Sequence, residues 1–316
     1  MQHQRPRADQ IRSILLLEMA AELVSDRAWP ATQARLMLRK QGSTNPWQYC
    51  LYASDAPSVM EEVARREVQL AMLNPAAPLA MAVRGTGPYR EPLPLRVITT
   101  IPTLDQFAFA VAERTGLHSL ADIRERRYPL KMSMREYADH SDYLMANEVF
   151  RAAGFTLDDV VAWGGAILHH PGLSIDVGEV ERGEIDAFFE EAVHLWLGKA
   201  LDAGMRLLPL EPSLVERLEP IGMRAAPIRK AEFPQLAKDV ISLDFSGWPI
   251  FTHADTPDEI VRWFCATLEA RKERIPWEGG WPLPLERMCR DGPDTPLTAP
   301  LHPAAEAFWR ELGYLP

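Results

Sequence analysis

One short stretch concentrates the residues able to grip an ion. Ser133-Met134-Arg135-Glu136-Tyr137 is followed closely by His140, Ser141 and Asp142, between a strand-like segment and a helix-like one. A helix start offers free backbone N–H groups and the positive end of a dipole, which favour an anion. A guanidinium at such a place holds a carboxylate through two parallel hydrogen bonds, which makes Arg135 the candidate grip. The competing reading is a surface loop with ordinary capping residues. Two other apolar segments also stop in polar residues. Gln69–Leu73 ends at Asn74–Pro75, and the Ile-Asp-Ala-Phe-Phe run ends at Glu190–Glu191. One of these two acids would bind a ligand ammonium group or orient Arg135, while the other is solvated. Trp248, near Ser246, would supply an aromatic wall; a core tryptophan is the alternative.

Other chemistries find no support. His169–His170 is an adjacent pair whose rings point in different directions, without a third ligand at a metal-site spacing, so a loop pair is expected and no metal. GTGP at Gly85–Pro88 lacks the lysine and the following Ser/Thr of a phosphate loop. No nucleophile elbow, HExxH or CxxC occurs, so neither a cofactor nor a catalytic residue is assigned. The three cysteines, Cys50, Cys265 and Cys289, are too sparse for a disulfide framework and read as buried thiols.

The elements that must position the polar ends read as helix-turn-strand units. Helix-like Ser58–Arg66 leads into Gln69–Leu73, and a helix-like segment precedes GEIDAFF at Gly183–Phe189. In open α/β sheets, ligands bind beyond the carboxyl ends of strands, so two such units in different lobes would face one cleft. Further strands are expected at Gln48–Tyr52, Leu95–Thr100, Leu130–Met132, Arg206–Pro209, Val240–Phe245 and Pro249–Thr252, with an apolar run at Gln106–Ala112. Helices are expected at Ile11–Arg27, Leu120–Glu125, Ser141–Ala153 with Gly154 as its cap, Pro257–Lys272 and Ala304–Leu312, and one or two helical turns over Ala31–Lys40. Pro276–Pro303, rich in Trp, Gly and Pro, reads as a long excursion.

The chain has 316 residues, is 47% hydrophobic and 25% charged, and carries a formal charge of -10. That length buries a real core in two modest α/β domains or one large one. The acidic balance excludes a nucleic-acid binder, which shows a basic patch. No stretch is apolar for long enough to span a membrane. Near the start, Ile11–Val24 is interrupted by Glu18 and Glu22 with apolar residues at helical spacing. It reads as an amphipathic helix and not as a secretory signal, so the sequence as given points to the cytoplasm.

Several segments, taken in order, resemble the TAXI-type solute-binding proteins of TRAP transporters. They are Glu62–Tyr89, Ala112–Ser133, ANEVFRAAGFTLDDV, GEIDAFF, Met205–Leu210, DTPDEIVRWFCATL and LHPAAEAFWRELGYL, and together the resemblance runs from about Trp47 to Pro316. It implies an α/β, two-lobed type II periplasmic-binding-protein-like fold with a cleft between lobes. Lobe I would hold residues 1–105 and 250–316, and lobe II residues 106–249, with the hinge near 104–110 and 244–252. It also implies a solute-binding protein that holds a small carboxylate or amino acid, with Asn74, Ser133, Arg135, Glu136, Tyr137, Glu190 and Trp248 at the ligand. The partners implied are the membrane subunits of a TRAP transporter, and the family location is periplasmic. Two features depart from the family. No Gly/Ser/Thr-rich loop precedes Ile11, and larger polar residues replace the glycines after Ser133, which implies a changed ligand preference. Two alternatives stay open. One is an enzyme on the same scaffold, a decarboxylase of an aromatic or dicarboxylic acid, with Arg135 holding the carboxylate and His140 or a cleft Glu moving a proton. The other is a cytosolic ligand sensor whose partner contacts Pro276–Pro303.

Overall fold

The computed structural model describes residues 8–25, 33–38, 49–135, 138–170 and 176–316. Its strands are β1 (Ala34–Leu38), β2 (Tyr49–Ser54), β3 (Leu70–Leu73), β4 (Leu95–Ile101), β5 (Gln106–Ala112), β6 (Lys131–Arg135), β7 (Ala166–His170), β8 (Ala187–Glu190), β9 (Met205–Leu207), β10 (Ala225–Ile228), β11 (Val240–Asp244) and β12 (Trp248–His253). The helices are α1 (Ala8–Ser25), α2 (Val59–Ala64), α3 (Ala77–Arg84), α4 (Leu120–Arg126), α5 (Ser141–Ala153), α6 (Leu157–Ala162), α7 (Val177–Glu181), α8 (Val193–Asp202), α9 (Pro212–Leu218), α10 (Asp258–Arg271), α11 (Leu285–Met288) and α12 (Pro303–Glu311).

Two sheets organise these elements. The first runs β1-β2-β3-β12-β4; the second runs β10-β11-β5-β8-β6-β7, with β9 also paired to β5. The chain leaves the first sheet between β4 and β5 and returns between β11 and β12, so residues 102–105 and 245–247 are the two crossings. The returning strand is inserted antiparallel between β3 and β4. This is the two-lobed type II periplasmic-binding-protein-like arrangement. Trp248 and Pro249 already pair with Ile101 and Thr100, so the first sheet resumes there and not at residue 250.

β5 shows why the second sheet holds together. All seven of its residues are buried, which fits a strand covered on both faces. Strand alternation sends Phe107 and Phe109 to one face, where they meet Phe150, Phe189 and Phe245, with ring centroids 5.1 to 6.1 Å apart along the chain of contacts. Ala108, Ala110 and Ala112 go to the other face, where Trp196 of α8 packs in the same cluster. Burying aromatic rings of this size is the largest single source of stability available to the lobe.

The first sheet is likewise covered on both faces. α2 and α3 supply Val59, Met60, Val63 and Leu79 on one side. On the other, the C-terminal helices supply Ile260, Phe264, Cys265, Met288 and Trp309. All three cysteines are free and buried, as their apolar surroundings predict. Gly222 lets the lobes approach closely: its φ is +108°, and an added Cβ would stand 2.8 Å from the Ala80 Cβ of α3.

Three expectations need correction. Residues 34–38 form a strand, not a helical turn, because all five pair with Tyr49–Ala53 of β2. Good intrinsic helix formers there yield to tertiary pairing. His169 and His170 lie on β7, in register with Met134 and Arg135 of β6, and not in a loop. α1 is helical, but its described side chains, residues 14–22, are all exposed, Leu16 at 68%, so no buried apolar face is seen among them. Among the described residues no helix is long and apolar enough to cross a membrane.

Candidate functional site

The carboxyl ends of parallel strands from both sheets meet at one place. In the first sheet β2 and β3 are parallel and end at Ser54-Asp55 and Leu73-Asn74. In the second, β6 and β8 are parallel and end at Arg135 and Glu190. Helix α5 starts between them. Its first N–H groups have no intrahelical partner, and the Ser141 N–H finds one in the other lobe, donating to the Asp55 carbonyl at 3.0 Å. The Ser141 hydroxyl also donates across the junction, 2.6 Å from the Asn74 carbonyl and 3.0 Å from that of Asp55. The Ser58 hydroxyl, at the start of α2, donates to Asp139 at 2.6 Å. The lobes are therefore in direct polar contact.

Behind this contact lies a buried charge cluster. Arg135 Nε stands 2.7 Å from Glu190 and 3.7 Å from Asp142, and its Nη2 donates to Glu191. His140 caps α5, with Nδ1 3.1 Å from the Asp142 backbone nitrogen and 3.2 Å from Asp142 Oδ1; its Nε2 lies 3.7 Å from Asp55. Asp105, in the first crossing, accepts from the Ala192 N–H at 2.9 Å. Ala192 holds the left-handed backbone at φ +50°, a strained conformation for a residue with a Cβ, directly after Glu191.

Five carboxyl groups (Asp55, Asp105, Asp142, Glu190 and Glu191) thus surround one guanidinium and one imidazole. For Asp105, Asp142, Glu190 and Glu191 burial acts first on the protonation, and neighbours modify it. Burial and the Asp142 charge raise Glu190 well above the usual carboxylate range, against the pull of Arg135. Burial and the Glu191 charge push Asp105 up to about 8. Glu191 is raised by burial and by Asp142. Burial would raise Asp142 too, yet a hydrogen bond from Glu190 and the charges of His140 and Arg135 hold it low. His140 is raised because Asp142 and Asp55 outweigh its burial. The cluster therefore holds an ionised Asp142 beside a protonated Glu190. Among the described residues, Asn74 Oδ1 at the junction is buried without a hydrogen-bond donor.

A cavity of about 630 Å³ opens at the rim of this cluster, between the lobes. His140 forms its inner wall, and Tyr89 and Tyr143 line it from opposite lobes. The Tyr143 hydroxyl lies 2.8 Å from His169 Nδ1, which itself stands 3.1 Å from the Arg135 carbonyl oxygen. His169, read as a loop histidine, is thereby part of the cleft wall.

The predicted site residues separate into three groups. Asn74, Arg135 and Glu190 come together at the junction, with His140, Ser141, Asp142 and Glu191. Ser133 is 2% exposed in the middle of β6, flanked by Phe188 and Leu168. Trp248 opens β12 half-buried and does not line the cavity. Glu136 and Tyr137 lie outside the described residues. Sequence reasoning missed Asp55 and Asp105. The strand-end rule applied to Asn74 would have found Asp55, since it follows the parallel neighbour β2 in the same way.

No family model matches the sequence, and no curated protein does. Among solved structures, the chain is similar to the periplasmic aliphatic sulphonate binding protein SsuA from Escherichia coli, at 14% identity and a TM-score of 0.32, covering 69% of this chain and 56% of that one. It is similar to XAC2383 from Xanthomonas citri bound to chloride ion, at 13% identity and a TM-score of 0.42, covering 82% and 80%. It is also similar to an ancestral arginine-binding protein bound to arginine, at 12% identity and a TM-score of 0.32, covering 69% and 72%. This chain thus spans little more than half the length of the first of them. The fold assignment rests on the strand order and the two crossings described above.

Proposed function

We propose that the protein is a non-enzymatic, two-lobed solute-binding protein of the TAXI type, holding a small carboxylate or amino acid between its lobes. The observation that carries this reading is the convergence of strand ends from two different sheets on one buried charge cluster. A ligand seated there would touch both lobes, so its binding energy would be realised only when they close. The two crossings are short, adjacent and joined: the Ser246 hydroxyl lies 3.1 Å from both the backbone nitrogen and the carbonyl of Asp105. Such segments are suited to bend together as a hinge. Export to the periplasm and delivery to transporter membrane subunits belong to the same proposal, and rest on the segment resemblance alone.

The test is thermal melting against a panel of small carboxylates, amino acids and aromatic acids. A ligand bound only by the folded form, at a hundred times its dissociation constant, adds about 2.7 kcal/mol. A selective shift, with the ligand recovered chemically unchanged, supports the reading. Turnover of the bound compound would replace it with an enzyme.

A further inference from the structure

We infer that α3 is a third connection between the lobes, a pivot that stays docked on the second lobe while the edge carrying Ser58, Asp139 and the cavity opens. The inference goes beyond the solute-binding reading, since it concerns how the lobes move and not what they hold.

The two parts of the interface are built from different material. At α3 the packing is apolar. Ala77 and Met81 are 7% and 0% exposed and belong to one buried cluster with Phe107, Leu218, Met223 and Phe245 from the second lobe and its crossing. Parting there would return apolar surface to water, which is unfavourable in proportion to its area. Gly222 brings the second lobe's backbone directly onto this helix. With its φ at +108°, an added Cβ would lie 2.8 Å from the Ala80 Cβ and 3.2 Å from the Met81 nitrogen. Two side chains pin the same contact. Arg84 Nη1 donates to the Glu219 carbonyl at 3.0 Å, and the Thr86 hydroxyl donates to the Ile221 carbonyl at 2.7 Å. These carbonyls close α9 and the 3-10 turn Glu219–Ile221 that follows it, where helix-end acceptors take partners from outside and a cation is favoured. The Ala76 N–H donates to the Ser246 carbonyl at 3.3 Å, so α3 begins against the second crossing, where rotation between the lobes displaces it least.

The other edge is held by polar contacts. Ser141 bonds the Asp55 and Asn74 carbonyls, the Ser58 hydroxyl donates to Asp139, and His140 faces Asp55. Groups of this kind exchange protein partners for water at small net cost. The cavity of about 630 Å³ lies here, lined by Ser58 and Glu61 from the first lobe and by Asp139, His140 and Tyr143 from the second. Opening therefore admits a molecule between α2 and α5, with α3 as the fixed point.

The experiment is native-state hydrogen exchange on the full chain with no compound added, resolved by amide. Ser141, whose N–H crosses to Asp55, reads the polar edge, and Ala76, whose N–H is held by Ser246, reads the pivot. After correction for intrinsic rates, Ser141 should exchange about tenfold or more faster than Ala76. Ser58→Ala should speed Ser141 by about two- to fivefold and leave Ala76 unchanged, as expected for one lost hydrogen bond. Gly222→Ala should speed Ala76 instead; because that variant strains the backbone, Arg84→Ala gives the same readout from a side chain. Equal exchange of the two amides in the wild type, or acceleration of both by Ser58→Ala, means that the lobes part as a whole and overturns the inference. Faster exchange at Ala76 than at Ser141 overturns it too. If Ser58→Ala does not move Ser141, that amide reports fraying of α5 alone, and the inference falls. None of these outcomes touches the solute-binding reading, which the melting panel decides.

Discussion

Two of the molecule's cavities are nearly equal in size and differ in electrical design. The interlobe cavity, about 630 Å³, has carboxylates and tyrosines on its wall and no lysine or arginine among its described lining. The cavity beneath the C-terminal excursion, about 640 Å³, is lined by Lys272, Arg287, Arg290 and several acids. There each cation has its own partner: Lys272 with Glu269 at 2.6 Å, Arg287 with Asp294 at 3.2 Å and Arg290 with Glu286 at 3.1 Å. Charges matched one for one and open to water are cohesion between chain segments. Five carboxyls crowded around one guanidinium and one imidazole share those partners, and burial raises Asp105, Glu190 and Glu191 so that the crowding is tolerated. Volume alone does not separate these two cavities; the balance of charge does.

The strongest test of this contrast is to remove the guanidinium at the centre of the buried cluster. Arg135→Ala leaves Glu190, Glu191 and Asp142 buried against one another, and unfolding stability at neutral pH should fall by about 3–5 kcal/mol. Chemical denaturation measures it. If Arg135→Ala is no less stable than the wild type, the cluster is not the strained assembly described here.

The second prediction concerns pH. Asp105 is held at about 8 in the folded protein, above its ordinary 3.8, so the folded state binds a proton that the unfolded state releases. Stability should therefore decline as pH rises from about 4 towards about 8 and flatten beyond that. The raised Glu190 and Glu191 act in the same direction. The raised His140 adds stability at low pH that is lost as pH climbs through its folded-state value. Asp105→Asn should reduce the slope over this window in melting curves taken at a series of pH values. An unchanged slope would mean that Asp105 titrates normally.

A smaller effect is expected at the strained residue beside the cluster. Ala192→Gly removes the Cβ that disfavours φ +50° and should stabilise the protein by about 1 kcal/mol, partly offset by greater freedom in the unfolded chain. The smallest belongs to the balanced cavity. Glu286→Ala breaks one exposed pair, with Arg290 at i,i+4 spacing, and should cost about 0.3–0.5 kcal/mol. A larger loss there would erase the distinction between the two cavities.

Much of this architecture was legible where the chain punctuates itself. Ser141–Ala153 closes on Gly154, whose φ of +92° suits the left-handed cap, and its bounds match the expected helix. The apolar run expected at Gln106–Ala112 proves to be β5, since a strand buried on both faces is apolar over most of its length. The misreadings share a cause. Ala34–Leu38 and Ala166–His170 are strands by virtue of their partners β2 and β6, and a local pattern carries no record of a partner distant in sequence. The site was legible in the same partial way. Asn74, Arg135 and Glu190 stand at strand ends, where a rule exists to find them. Asp105 is one acid in a connector, and only the fold brings it against Ala192 and Glu191. That Arg135 is enclosed by acids, and so is not available to a carboxylate, is a fact of convergence that no single segment shows.

The insertion of β12 between β3 and β4 has a consequence for how the chain reaches its native state. The second lobe is one continuous stretch whose ends already touch, since Gln106 and Asp244 are paired neighbours on β5 and β11. It can close on itself as soon as its last strand leaves the ribosome. The first lobe cannot do so, because β3 and β4 make no ladder with each other and both await a strand that begins only at residue 248. During synthesis, which runs from the N-terminus, the half made first in part is therefore finished last. Its unpaired strand edges stay open until the whole second lobe has been threaded through the middle of its sequence.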